Sequence, residues 1–184
     1  MEIAPLSELP DNFLVNCGHN GYSSNYTFTI NNSPGLRNIV FNLELTALEI
    51  PFIKYWTTKE ADIIYYNQII KDGHSYAALD GDDLVGLVIC QERKWNNTLY
   101  IEHLMIAEGE RGKGAGSLLM KKIIEYSSGK NYRLIELETQ NTNVPAIKFY
   151  EKQGFKITGL NLILYDPNEN PGEFAIFMSY NIRD

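Results

Sequence analysis

Apolar positions recur along the chain in two periods, and their order predicts the elements. Tyr26, Phe28 and Ile30 alternate with Thr27 and Thr29, the period of a half-buried strand, before the turn-forming run Asn31-Asn32-Ser33-Pro34-Gly35. A second strand is expected over residues 39–48, where Ile39, Phe41, Leu43 and Leu45 alternate with Val40, Asn42, Glu44 and Thr46, and Pro51 should break it. Thr57-Thr58-Lys59-Glu60 opens a helix with Ile64, Tyr65, Gln68 and Ile69 at helical spacing and Gly73 as its stop. Residues 75–79 and 84–91 read as a hairpin about Asp80-Gly81-Asp82. An apolar run over residues 100–107 predicts a strand, the charged turn Glu108 to Glu110 follows, and a helix is expected from Gly116 to about Ser128 with Leu119, Ile123 and Tyr126 on one face.

Over residues 133–140, Ile135 and Leu137 share one strand face and Glu136, Glu138 and Gln140 the other. Asn143 is then an N-cap with Pro145 in the first turn, and Ala146, Phe149, Tyr150 and Gln153 share a helix face that ends at Gly154. Strands over 155–165 and 174–181 close the chain around the breaker-rich loop 166–172, while residues 1–24 read as an irregular lead-in with a short helix near Leu6. The order is β-β-α-β-β-β-α-β-α-β-β. Its strand–helix–strand unit over 100–140 implies two parallel neighbours joined by a right-handed crossover within a mixed sheet.

At 184 residues, with no repeat or linker, the chain reads as a single domain, 1–184. A hydrophobic content of 44% and a charged content of 21% fit a globular protein, and the net charge of −7 argues against a nucleic-acid partner and for a cationic one. Cys17 and Cys90 are too few and too far apart for a disulfide framework or a metal site, and the acidic N-terminus has no apolar run for a signal or membrane span, so a cytoplasmic protein without a membrane partner is expected.

The candidate chemistry centres on Arg111-Gly112-Lys113-Gly114-Ala115-Gly116, placed between a strand and a helix start. Glycines on alternate positions leave backbone N–H groups uncovered where the helix dipole attracts anions, which is the arrangement of a phosphate site. A Walker A loop is disfavoured because Ser117-Leu118 follows Gly116 where Lys-Ser or Lys-Thr is required. A dinucleotide fingerprint is matched incompletely, with Ser117 at its third glycine, although Glu136 and Glu138 lie where its ribose-binding acid would.

Arg111-x-x-Gly114-x-Gly116 after a strand, followed by Asn143-x-x-Ala146-x-x-Phe149-Tyr150 and then Gly154-Phe155, closely resembles the acyl-CoA site of the GNAT acetyltransferase superfamily. Within it, Trp95-Asn96, Ile101-Glu102-His103, Arg111-Gly112-Lys113-Gly114 and Leu137-Glu138-Thr139-Gln140-x-x-Asn143 resemble the streptothricin acetyltransferases. The similarity covers about residues 51–180, and residues 1–36 form a divergent N-terminal segment with no match.

The resemblance implies an α/β (α+β) fold: a mixed, mostly antiparallel central sheet with a central parallel strand pair flanked by helices. It implies acetyl-CoA as co-substrate, no metal, and transfer of an acetyl group to the amine of a cationic small molecule, the β-lysine amine of streptothricin foremost. Pyrophosphate would lie on the amides from Arg111 through Gly112, Lys113, Gly114, Ala115 and Gly116 to Ser117. Pantetheine would run along Leu104, Met105 and Ile106, with Asn143 beside it and an amide of Met105 or Ile106 at the thioester carbonyl. Tyr150 is the implied acid, and Glu138 and Glu102 are candidate bases or anchors for a cation. His103, by strand parity, should point away from Glu102 as a packed neutral ring. Tyr55, Trp56 and Tyr165 are candidate walls of the acceptor pocket, with Glu136 near it. The alternatives are another small amine, a polyamine or a protein N-terminus as acceptor, or an acyl-CoA-binding sensor without turnover; a homodimer is left open.

Overall fold

Residues 84–90 carry no charged side chain, so a strand built from them needs apolar cover on both faces. The computed structural model describes residues 1–32 and 40–183 and supplies that cover. In chain order the elements are β1 (Glu2–Pro5), α1 (Phe13–Asn16), β2 (His19–Asn32), β3 (Phe41–Thr57), α2 (Glu60–Ile70), β4 (Tyr76–Asp80), β5 (Asp83–Arg93), β6 (Thr98–Ile106), α3 (Ala115–Gly129), β7 (Leu134–Gln140), α4 (Val144–Lys152), β8 (Lys156–Asn161) and β9 (Ala175–Asn181). Seven strands form one sheet in the order β1-β4-β5-β6-β7-β9-β8, and β2 and β3 form a separate two-stranded ribbon. On one face of β5, Val88 and Cys90 join Leu119 and Ile123 of α3 and Ile147 of α4 in the larger core. On the other, Leu87 and Ile89 pack with Phe13 of α1 and Ile69 and Ile70 of α2. Among the described residues, no helix is long and apolar enough to cross a membrane.

The mixed, mostly antiparallel sheet with one parallel pair is as expected: β6 and β7 run parallel and the sheet's other pairings are antiparallel. Their parallel register spans only Thr98↔Leu134 to Ile101↔Leu137. Beyond it β6 continues beside β5 and β7 beside β9, so the two central strands part. A register shift in the β5–β6 ladder pairs Ile89 with His103 and Cys90 with Ile101, leaving Glu102 as an extra residue where the strands separate.

Five local expectations need correction. The N-terminal segment is not irregular: residues 2–5 pair with β4, and the short helix is at Phe13, while Leu6 is a buried core residue. Pro51 does not end β3, because the β2–β3 register shifts from Tyr26↔Ala47 to Ser24↔Phe52, and proline falls in the bulged stretch where no ladder N–H is needed. In α2 the apolar doublets hide which face is inner: Ile69 and Ile70 are buried, with Ile63 and Tyr66 against the same core, whereas Ile64 and Tyr65 are exposed. On α4 the core takes Val144, Ile147 and Tyr150. The strand expected over 155–165 stops at Asn161, whose side chain accepts the N–H of Ile163 and so turns the chain. Ser33-Pro34-Gly35 of the expected turn and Ile39 of the expected strand lie outside the described residues.

Buried Asn141 fastens the ribbon to the sheet just past β7. Its backbone carbonyl accepts Phe28 N–H (3.1 Å) and its N–H donates to Phe174 O (3.0 Å). Its side-chain amide donates to Phe28 O (3.0 Å) and Gly172 O (3.3 Å) and its side-chain carbonyl accepts Phe174 N–H (2.9 Å). Asn141→Ala strands several of these buried backbone groups and should lower the unfolding free energy by about 2–4 kcal/mol in urea titrations. An unchanged unfolding midpoint would show that Asn141 is not a fastening point.

Candidate active site

The glycine turn enters α3 through two left-handed residues, Gly112 (φ +77°) and Gly114 (φ +99°), a conformation that disfavours any Cβ. Gly114 is the N-cap and no side chain caps the helix. The first intrahelical bond runs from Leu118 N–H to Gly114 O (3.0 Å), so the amides of residues 114–117 are the orphan donors of a 15-residue helix, while those of Arg111 and Lys113 turn back to Glu108 O and Glu110 O (3.4 Å each). A Cβ on Gly116 would stand 3.2 Å from Phe149 of α4, which explains glycine where the two helices approach. Arg111 is not a free surface cation: its Nη1 donates to Gly21 O (2.7 Å) and its Nε lies 3.5 Å from Ile106 O.

These residues floor a cavity of about 470 Å³ beside the end of β6. Leu104, Met105 and Ile106 of β6 form one side, Asn143, Ala146, Phe149 and Tyr150 another, and Asn20, Gly21 and Tyr22 of β2 close it. The ladder bond from Ala107 N–H to Val85 O (2.9 Å) fixes the alternation of β6. On that alternation Met105 directs its backbone polar groups to β5, and Leu104 and Ile106 direct theirs to the open side. Ile106 O there accepts the Asn20 side-chain amide (3.4 Å).

A second cavity, about 370 Å³, lies across the same wall. Trp56, Leu104, Asn143, Ala146 and Tyr150 line both cavities. Glu102, Glu138 and Asp62 give the second one its acidic character, with Lys54, Tyr66 and His103 also on its lining. Tyr165 donates a hydrogen bond to Glu138 Oε1, and Tyr65 donates to Glu102 Oε1 (3.2 Å). Lys54 pairs with buried Glu173, which also accepts Thr142 Oγ1–H (2.6 Å).

Burial sets the protonation states. It raises the Glu138 carboxyl, with Glu102 and Glu173 adding to it, and the Tyr165 hydrogen bond and the Lys54 charge oppose the rise. Burial also raises the Tyr150 phenol, with Cys90, Glu138 and Tyr100 in support, so Tyr150 is a protonated donor at neutral pH. His103 stacks on Tyr66 at 5.3 Å between ring centroids, and burial takes its imidazole down to about 4 against the pull of Asp62.

Of the residues expected at the site, Tyr150, Glu138, Glu102, Asn143, Trp56, Leu104, Met105, Ile106, Arg111, Gly112, Gly114, Ala115, Gly116 and Ser117 line one cavity or both. Asn143 is also the expected N-cap, accepting Ala146 N–H (3.3 Å). Four differ. Lys113 lines neither cavity and pairs with Glu110 (2.9 Å). Tyr55 is 79% exposed on the ribbon and lines neither. Glu136 precedes the point where β6 and β7 part and lines neither. Tyr165 reaches the site through Glu138 rather than as a wall. His103 is neutral and packed as expected, but the extra residue at Glu102 breaks strand parity, and both side chains border the same cavity. Asn20, Gly21, Tyr22, Lys54, Asp62 and Tyr66 were missed; His19-Asn20-Gly21 has the composition of a turn, and Asp62 bore only the signal of a helix-capping residue.

The model of the acetyltransferase (GNAT) family matches residues 40–155. A streptothricin acetyltransferase of Streptomyces lavendulae is 36% identical over 109 residues, 59% of this chain and 58% of that enzyme. The crystal structure of a nourseothricin acetyltransferase superposes with a TM-score of 0.76 at 25% identity, covering 99% of both chains. A Bacillus anthracis protein, provisionally described as a streptothricin acetyltransferase and solved in complex with acetyl coenzyme A, superposes with a TM-score of 0.73 at 27% identity, over 98% of this chain and 99% of its own.

The His103 imidazole yields a pH prediction. Its folded pKa, about 4, lies below the ordinary 6.5, so the unfolded chain takes up the extra proton between these values. This contribution to stability is complete above about pH 6.5 and is lost as pH falls toward 4, amounting to about 2–3 kcal/mol. The His103 ring resonances should not titrate above pH 5 in NMR spectra, and His103→Gln should flatten the decline; a midpoint near 6.5 would refute the neutral, packed ring.

Proposed function

We propose that this chain, which belongs to the GNAT acetyltransferase family, moves an acetyl group from acetyl-CoA to a primary amine of a cationic small molecule. The observation that carries the reading is the shared wall at Tyr150: a glycine-lined cavity at a helix N-terminus on one side and an acidic cavity on the other. Acetyl-CoA supplies an activated acyl group as a thioester. The fit of its phosphates is supported by the uncapped α3 N-terminus and by glycines at 112 and 114 in a conformation that keeps the amides bare.

Within this reading the Ile106 amide, on the open side of β6, polarises the thioester carbonyl. Glu138 takes the proton of the attacking amine, directly or through water, and Tyr150 gives its proton to the departing sulfur. Glu102 and Asp62 hold the positive charge of the acceptor, and Trp56 walls it. Streptothricin, through its β-lysine amine, is the acceptor we favour, supported by the relatives of that activity and by the three carboxylates on the second cavity. Two buried free thiols, Cys17 and Cys90, suit a reducing, cytoplasmic setting.

Thiol release from acetyl-CoA, measured against a panel of amines, should be fastest with streptothricin; no turnover with any amine, while acetyl-CoA still raises the melting temperature, would replace this reading by that of a sensor. Tyr150→Phe should lower kcat roughly a hundredfold and leave the acetyl-CoA melting shift intact. An unchanged kcat would remove Tyr150 from the chemistry.

A further inference from the structure

Glu138 stands where β6 and β7 have parted, and the surrounding groups compete over its charge. Glu102 from β6 and Glu173 from the loop before β9 oppose ionisation, as does burial. Two groups favour it: the Tyr165 hydroxyl, hydrogen-bonded to Oε1, and Lys54 of β3. Tyr22, Tyr100 and Tyr150 are further titratable groups that feel this carboxylate, each as a neutral phenol.

Tyr165 is not held there by regular structure. β8 ends at Asn161 and the chain turns back through exposed Leu162, Ile163 and Leu164 before the Tyr165 ring returns inward. Lys54 lies 5.9 Å from that ring and donates to Asn170 Oδ1 (2.9 Å) while pairing with Glu173. The loop is thereby anchored at Tyr165, Asn170 and Glu173, and the outcome of the anchoring is one hydroxyl aimed at one carboxylate oxygen.

We propose that Tyr165 is a positioning residue for Glu138: its hydroxyl holds the carboxylate ionised and fixes Oε1, which leaves Oε2 as the oxygen that faces the acceptor amine. The phenol is suited to this because burial and the adjacent carboxylate keep it protonated, so it remains a donor across the working pH range. Lys54 assists through its charge while its own hydrogen bonds go to Asn170 and Glu173. The catalytic consequence of this pairing rests on the reading of Glu138 as the base.

The test follows the Glu138 carboxyl directly by carbon NMR of chain labelled at the glutamate carboxyl carbon, the signal being identified by its loss in Glu138→Gln. In Tyr165→Phe, which keeps the ring, the Glu138 midpoint should rise by about one pH unit, and the acidic limb of kcat/KM should rise with it while the high-pH plateau is retained. Where Tyr165→Phe does not fold, fluorotyrosine incorporated at position 165, a stronger donor of nearly the same shape, should lower the midpoint instead. An unmoved midpoint, or a kcat/KM lowered equally at every pH, overturns the proposal. A midpoint that rises while the acidic limb stays in place supports the Tyr165–Glu138 pairing and counts instead against Glu138 as the base.

Discussion

The structure depends on a short agreement between two strands. β6 and β7 share a parallel ladder from Thr98↔Leu134 to Ile101↔Leu137 and then diverge, each kept in the sheet by its outer neighbour. Parallel pairing aligns both strand ends on the same side, so the divergence opens backbone groups and side chains of two strands into one space. The extra residue at Glu102 falls at the point of parting and turns two consecutive side chains, Glu102 and His103, to the same cavity. A longer ladder would have closed the wedge.

Around that wedge the chain solves two different problems. On the glycine side the backbone does the work, and side chains are excluded by φ angles at 112 and 114 and by the approach of Phe149 to Gly116. On the acidic side the polar groups are side chains, and they need partners. Glu173, buried among them, is held by Lys54, Thr142 and Tyr22. A buried carboxylate without such partners would be strongly destabilising, which ties residues of the ribbon, of the turn before α4 and of the loop before β9 into one unit.

How much of this was legible in the sequence varied with the range of the interaction. The glycine turn, the helix after it, the N-cap at Asn143 and the parallel pair are specified by neighbours in the chain, and they were read correctly in kind and order. The register of the ribbon was not, because the bulge that accommodates Pro51 depends on which residues of β2 lie opposite. Asn20, Gly21 and Tyr22 reach the site because contacts made across long stretches of sequence, those of Asn141 and Arg111 among them, draw the ribbon against the sheet. For the same reason Tyr55 was misjudged and Tyr165 misdescribed: an aromatic side chain near a loop has the same local signature whether it lines a pocket, lies on the surface or hydrogen-bonds a carboxylate. Lys113, in the glycine turn, pairs with Glu110 at the surface, a contact between near neighbours that the glycine pattern does not signal.

Trp56, Leu104, Asn143, Ala146 and Tyr150 each line both cavities, so the two meet along these five residues. A substitution at any of the five therefore reshapes both cavities at once, and neither can be retailored there without retailoring the other.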